Sequence, residues 1–72
     1  MRQEFLEQVA EVLEVPSVSP DDKFRDVPMW SSLLGFGLLV MIEQRFGKRL
    51  GAADLQAAQT VADLAKLAGV TD

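Results

Sequence analysis

The sequence predicts an all-α fold, a small three-to-four-helix bundle with a long first loop. Apolar residues recur at helical spacing in separate segments, nothing alternates as a strand does, and capping residues and glycines bound the segments. The 72 residues are enough for one small domain, which we assign to residues 1–72. A core of this size is marginal, so each helix has to bury an apolar face.

The first predicted helix lies at the N-terminal end and spans about three turns. Glutamates fill one of its faces, and Pro16 is expected to stop it. The apolar positions that share the other face are Phe5, Leu6, Val9, Val12 and Leu13.

A long irregular segment, roughly residues 15–30, follows and contains three prolines. Its stretch Ser19-Pro20-Asp21-Asp22 has the pattern of a helix start, but we expect at most a short turn there. A loop of this length needs anchors, so Phe24 and Val27 are predicted to enter the core, and Trp30 to be a partly buried anchor. The alternative role for Trp30 is to line the path of a carried group.

The second helix is predicted to begin near Ser31 or Ser32 and to end at Gly47, a natural C-terminal stop. Its core stripe is predicted to contain Phe36, Leu39, Ile42 and Phe46, with Leu38 beside it, which leaves Leu33, Gly37, Val40 and Met41 exposed. A glycine inside a helix costs about 1 kcal/mol relative to alanine. We therefore expect Gly35 to make room for a core side chain and Gly37 to leave a gap for a partner.

The last third of the chain predicts a short helix and a longer one. Residues 51–59 have room for a single short helix around Asp54 and Leu55. Thr60 and Asp63 then form a capping-box pair at the start of the final helix, with Asp in place of the usual Glu. Gly69 is expected to end it.

Composition excludes several kinds of chemistry. The chain contains no cysteine and no histidine, which excludes disulfides, thiolate nucleophiles and histidine bases. A net charge of −4 disfavours nucleic acid and anionic membranes as partners. The apolar run 33–42 is too short to span a bilayer, and the charged N-terminus is unlike a signal peptide, so a cytoplasmic location is expected. Asp21, Asp22 and Asp26 are predicted to be solvated acids rather than metal ligands.

Several motifs in register resemble the acyl carrier protein family. Ser31-Ser32-Leu33 stands where that family has Asp-Ser-Leu, and Phe46-Gly47 closes the helix fourteen and fifteen residues after Ser32. The segments SPDDKF at 19–24 and TVADLAKLAG at 60–69 are similar to the family's loop and fourth helix. The likeness covers essentially the whole chain.

The resemblance implies a carrier that is not itself an enzyme. A phosphopantetheinyl transferase would move the phosphopantetheine arm of coenzyme A onto Ser32, and the arm would hold acyl groups as thioesters. The partners implied are that transferase and acyl-loading and acyl-processing enzymes of fatty-acid, polyketide or related biosynthesis. Two alternatives remain, a peptidyl or aminoacyl carrier and an unmodified helical adaptor. From the residues alone, two serines before an apolar helix are most simply N-caps.

Two departures from the family pattern are visible. Ser31 replaces the usual Asp, which removes a negative charge where the transferase docks, and the second helix has Glu43 as its single acid. An exposed apolar face is therefore expected to replace part of the acidic recognition surface. The positions predicted to bind partners are Leu33, Gly37, Val40, Met41 and Leu50. The protein is expected to be a monomer with no metal.

Overall fold

The computed structural model describes residues 2–70 and contains four α-helices and one short 3-10 helix. These are α1 (Arg2–Leu13), the 3-10 helix Phe24–Asp26, α2 (Ser32–Phe46), α3 (Ala52–Ala57) and α4 (Val61–Leu67). Within residues 2–70 there is no β-strand, and the β-type pairing is an isolated antiparallel bridge between Lys23 and Thr60. The all-α fold and the order of its elements are as the sequence predicts.

The core forms where α1 packs against α2 and α4. It is closed from the side of the long loop by Phe24, which is fully buried, with the half-buried Val27 beside it. Both loop anchors are therefore confirmed. No polar or charged side chain is buried among the described residues. The largest fully buried side chains are Phe5, Val9, Leu13, Phe24, Leu38, Ile42, Val61 and Leu64.

The long loop is fastened to the N-terminus of α4 by backbone hydrogen bonds. The N–H groups of Val61 and Ala62 donate to the carbonyl oxygens of Asp22 and Pro20, at 2.9 and 2.8 Å. The first N–H groups of a helix have no partner within the helix, so the loop supplies acceptors that α4 lacks. The segment Ser19-Pro20-Asp21-Asp22 forms a turn, as predicted, closed by the Asp22 N–H on the Ser19 carbonyl at 3.0 Å.

The capping box predicted for α4 is present. The Asp63 N–H donates to Thr60 Oγ1 at 3.2 Å, and Asp63 Oδ2 accepts from the N–H groups of Thr60 and Gln59 at 3.1 and 2.9 Å. These backbone N–H groups of Gln59 and Thr60 stabilise the carboxylate and lower the pKa of Asp63. The start of α4 is therefore fixed by local interactions that the sequence encodes.

Helices α1 and α4 end in the same hydrogen-bonded motif with different residues at the critical position. In α4 the left-handed residue is Gly69, with φ +75°. In α1 it is Glu14, with φ 61°, and the N–H groups of Glu14 and Val15 donate to the carbonyls of Glu11 and Ala10. This pair of bonds defines a Schellman C-cap. Helix α1 thus ends before Pro16, the residue predicted to stop it.

We expect Glu14→Gly to stabilise the protein by about 0.5–1 kcal/mol. A residue with a Cβ atom in the left-handed region costs about 1–2 kcal/mol, and glycine avoids this cost. Part of the resulting gain in stability is offset because glycine has greater entropy in the unfolded chain. Urea unfolding measures the difference. Glu14→Ala is the matched control, because it removes the carboxylate and keeps the Cβ atom. Equal stability of Glu14→Gly and Glu14→Ala would contradict the strain explanation.

The orientation of α2 differs from the prediction. Phe36, assigned to the core stripe, is 62% exposed, whereas Met41, assigned to the exposed face, is 6% exposed and belongs to the core. The buried stripe contains Leu38, Met41 and Ile42. Apolar side chains occupy nearly the whole circumference of α2, so their spacing does not determine which side faces inward. The prediction was right for Ile42, which is fully buried, and wrong for Phe36 and Met41. The buried stripe is rotated from the predicted one by about one residue of the helix, roughly 100°.

The two interior glycines of α2 both lie against neighbouring elements. A Cβ atom at Gly35 would lie 3.0 Å from Leu55 Cδ2, so Gly35 makes room for core packing, as expected. A Cβ atom at Gly37 would lie 3.3 Å from Val12 Cγ1 of α1. The close approach at Gly37 is therefore made by α1, and the binding of a partner at Gly37 stays a prediction.

Two further positions proposed as partner contacts are partly covered. Val40 is half-buried rather than fully exposed, and Leu50 is half-buried and packs against the core. Of the apolar side chains predicted to form an exposed face near the start of α2, Leu33 alone is strongly exposed, at 75%. The exposed apolar surface near the start of α2 is instead formed by Met29, Leu33 and Phe36.

Candidate functional site

The two serines at the start of α2 have different structural roles. Ser31 is the N-cap: its backbone is extended, its Oγ accepts from the Leu34 N–H at 3.4 Å, and its carbonyl accepts from the Gly35 N–H at 3.1 Å. Ser32 is the first residue of the helix, and it is exposed. The capping function is therefore met by Ser31, and the Ser32 hydroxyl is accessible to another reactant.

An exposed apolar patch adjoins Ser32. It is formed by Leu33 and Phe36, whose exposed fractions are 75 and 62%; Met29, three residues before Ser32 in the chain, is also exposed, at 57%. Leu33 follows Ser32 directly, and Phe36 lies one turn later on the same side of α2. Large apolar side chains that cluster at a surface commonly mark an interaction site. Sequence reasoning found Leu33 but assigned Phe36 to the core and did not single out Met29.

A groove opens beside Ser32, between α2 on one side and α3 on the other. It has a volume of about 370 Å³ and is open to solvent. The residues that line it are Arg25, Trp30, Ser32, Gly35, Phe36, Leu39, Ala52, Leu55 and Gln56. A larger groove of about 420 Å³ lies along α1 and the loop after it, and does not include Ser32. The accessible hydroxyl thus borders the groove between α2 and α3.

Two residues of the long loop, Arg25 and Trp30, line the groove. The Arg25 guanidinium donates through Nη1 to the Ala58 carbonyl at 2.7 Å and through Nη2 to the Leu55 carbonyl at 2.5 Å, which binds the C-terminal end of α3. It also lies 4.6 Å from the centre of the Phe24 ring. Trp30 is half-buried and meets Phe24 edge to face at 5.6 Å, so its predicted role as an anchor is confirmed. No sequence signal singled out Arg25, because its partners are backbone carbonyls distant along the chain.

Helix α2 carries little charge. Its charged side chains are Glu43 and Arg45, and Glu43 is paired with Arg49 at 3.1 Å. Both ends of this pair are exposed, at 47 and 85%, so it adds little to stability. The acid-poor surface of α2 that the sequence indicated is therefore present in the structure.

Within residues 2–70, no group of three acidic side chains is placed to hold a metal ion. No helix in the described part of the chain has both the length and the apolar character needed to cross a membrane.

The start of α2 is suited to a covalently attached phosphodiester. Ser32 is exposed and begins a helix of 15 residues, and the positive end of the helix dipole favours a negative group. No acidic side chain occurs in the first turn of α2 to repel that group. The groove provides a surface for the attached chain. The residues around Ser32 therefore fit a phosphopantetheine arm.

Comparison with known proteins gives one family match. A family model described as phosphopantetheine attachment site matches residues 3–68. No curated protein and no solved structure shows significant similarity to the chain.

Proposed function

The chain belongs to the phosphopantetheine attachment family, whose domains are carriers without catalytic activity of their own, and from this we propose that Ser32 holds the arm. The observation that carries the proposal is the division of roles between the two serines. Ser31 Oγ caps α2, and Ser32 is exposed as the first helical residue beside an open groove. Of the two, Ser32 has the hydroxyl that can be modified without the loss of a cap.

Loading of Ser32 is a phosphoryl transfer in which this chain supplies the acceptor. The Ser32 Oγ–P bond forms and a P–O bond of the coenzyme A pyrophosphate breaks, so that adenosine 3′,5′-bisphosphate leaves. The hydroxyl proton passes to a base on the transferase, since this chain has no histidine or cysteine to accept it. The backbone N–H groups at the start of α2 lie where they favour the phosphodiester that results. Once attached, the arm supplies a thiol that holds acyl groups as thioesters.

The pathway we propose is fatty-acid, polyketide or related biosynthesis, in which partner enzymes dock beside Ser32. The feature that supports docking is the apolar patch of Leu33 and Phe36 on α2, with the exposed Met29 close before it in the chain. Because α2 exposes few charges, we expect apolar contact to contribute more to recognition than ion pairs do.

Incubation with coenzyme A and a broad-specificity transferase is expected to add the mass of one phosphopantetheinyl group. Ser32→Ala should abolish the gain completely, because the acceptor oxygen is absent. Ser31→Ala should retain it while losing about 1 kcal/mol of stability, the usual effect of removing an N-cap. Intact mass spectrometry checks loading, and urea unfolding checks the cap. A mass gain that persists in Ser32→Ala would show that another residue is modified. No gain in the parent protein would favour the unmodified adaptor.

Ser31→Asp is expected to raise the rate of loading several-fold at low salt. Aspartate caps a helix about as well as serine, so folding should be unaffected, and the added negative charge favours encounter with a basic transferase surface. Ser31→Asn is the matched control, because it caps without charge. The measurement is the initial rate of mass gain at several salt concentrations. The electrostatic explanation fails if Ser31→Asp and Ser31→Asn load at the same rate at every salt concentration.

A further inference from the structure

The groove along α1 combines an apolar lining with an acidic rim. Its volume is about 420 Å³, and it is open to solvent. Glu7 and Glu11 line it, are exposed and lie one helical turn apart, and Gln3 Nε2 donates to Glu7 Oε2 at 3.2 Å. Its apolar lining consists of side chains that are buried or half-buried, which are Leu6, Ala10, Val15 and Val18. The groove therefore offers apolar contact and negative charge to the same ligand.

The segment that forms this groove carries the chain's excess of negative charge. Residues 3–22 contain six acidic side chains and neither lysine nor arginine. The rest of the chain contains five acids and seven bases, so its formal net charge is +2. A basic partner is therefore attracted to the groove along α1 rather than to the acid-poor surface of α2.

The groove lies on the side of α1 that is turned away from α2. Leu6 and Ala10 are about 120–160° around the helix from Val12, the residue that packs against Gly37 of α2. All the lining residues lie within the range 3–18, so none of them belongs to α2. A short segment bound along α1 therefore leaves the exposed start of α2 accessible.

We propose that this groove binds a short basic and apolar segment of a partner protein. The apolar side chains of that segment pack on the buried part of the lining, and its lysine or arginine side chains pair with Glu7 and Glu11. The lining positions of α1, within residues 3–11, extend over about 12 Å, which corresponds to about two turns of a bound helix. Binding here does not depend on the proposed attachment at Ser32. Its use, to hold the carrier beside a partner while Ser32 stays free for enzymes, rests on that proposal.

The test selects the chemistry of the partner from random sequences. A phage-displayed library of random peptides is panned against the full chain, and peptides that also bind the Glu7→Gln, Glu11→Gln double variant are removed. Glutamine removes the two charges and keeps the size of the side chains. The enriched peptides are expected to combine lysine or arginine with large apolar residues. Failure to enrich any peptide, or enrichment of acidic or uncharged peptides, would overturn the proposal.

The matched control is the double variant Glu4→Gln, Glu14→Gln. It removes two charges from the same region of α1, at exposed positions that do not line the groove. The affinity of a labelled, enriched peptide is measured by fluorescence anisotropy at low salt. We expect binding about tenfold weaker for the Glu7→Gln, Glu11→Gln variant and a change below about twofold for the control. Equal weakening in both variants would indicate general attraction to an acidic surface and would overturn a defined site.

Nuclear magnetic resonance locates the bound peptide. Amide chemical shifts of the isotopically labelled protein should change within residues 3–18 and stay constant in residues 31–36. The reverse pattern would place the peptide on α2 and overturn the proposal. Sedimentation measures self-association. A dimer that forms with rising concentration and is lost in the Glu7→Gln, Glu11→Gln variant would assign the groove to a second copy of the chain instead.

The separation of the two sites is tested by loading Ser32 with the groove saturated by the peptide. The rate of mass gain with coenzyme A and a transferase should be the same with and without the peptide. Slower loading in its presence would overturn the separation of the two sites. Absence of loading without the peptide would contradict the attachment at Ser32 and would leave the binding measurements unaffected.

Discussion

Met41→Glu is expected to destabilise the protein by at least about 3 kcal/mol and to leave much of it unfolded. Met41 is 6% exposed and lies in the core with Leu38 and Ile42. Loss of a buried methionine side chain alone costs about 2–5 kcal/mol, and a carboxylate buried without a partner adds to that. A domain of 72 residues has a total stability on the order of only 4–11 kcal/mol. Urea unfolding followed by circular dichroism measures the loss.

Phe36→Glu is the matched control on the same helix. Phe36 is 62% exposed, so this change should alter stability by about 0.5 kcal/mol or less. It should also reduce transfer from the loaded carrier to its partner enzymes, because it places a charge in the apolar patch beside Ser32. If Met41→Glu were as stable as Phe36→Glu, the orientation of α2 described above would be wrong.

Arg25→Ala is expected to destabilise the protein by about 2–3 kcal/mol. The guanidinium makes two hydrogen bonds to carbonyls at the C-terminal end of α3, and hydrogen bonds to a charged group contribute about 1.5–3 kcal/mol each. Because Arg25 is only half-buried, water in the variant can hydrogen-bond to the freed Leu55 and Ala58 carbonyls, which offsets part of the lost stability. Helix α3 has six residues, and within it only Leu55, which is partly buried, packs against the core, so we expect α3 to depend strongly on the Arg25 contact. Hydrogen exchange should show the loss concentrated in α3.

Arg25→Lys distinguishes hydrogen-bond geometry from charge. Lysine keeps the positive charge but has no fork that reaches the Leu55 and Ala58 carbonyls together. We therefore expect Arg25→Lys to recover less than half of the stability lost in Arg25→Ala. Full recovery would mean that the charge alone, acting on the negative end of α3, accounts for the effect.

The sequence by itself determined the order of the helices and the ends of α2 and α4. The Thr60 and Asp63 capping box, the Ser31 cap and the left-handed glycines at Gly47 and Gly69 all depend on partners within a few residues. Because such interactions involve only residues that are close together in the chain, they can be predicted from the sequence. The choice of Ser32 as the candidate attachment residue came instead from the resemblance of Ser31-Ser32-Leu33 and Phe46-Gly47 to the carrier family.

Only the tertiary structure decided which side of α2 faces inward. Phe36, Leu39 and Met41 are all apolar, and a helix that is apolar on nearly every side gives no periodic signal for its orientation. The orientation of α2 is fixed by its packing against α1 at Gly37 and against Trp30 and Leu55 at Gly35. The same holds for Arg25, which lies 30 and 33 residues from the residues whose carbonyls it binds. The groove beside Ser32 is formed where the long loop, α2 and α3 pack together. These segments are distant in the chain, so no local sequence pattern predicts the groove.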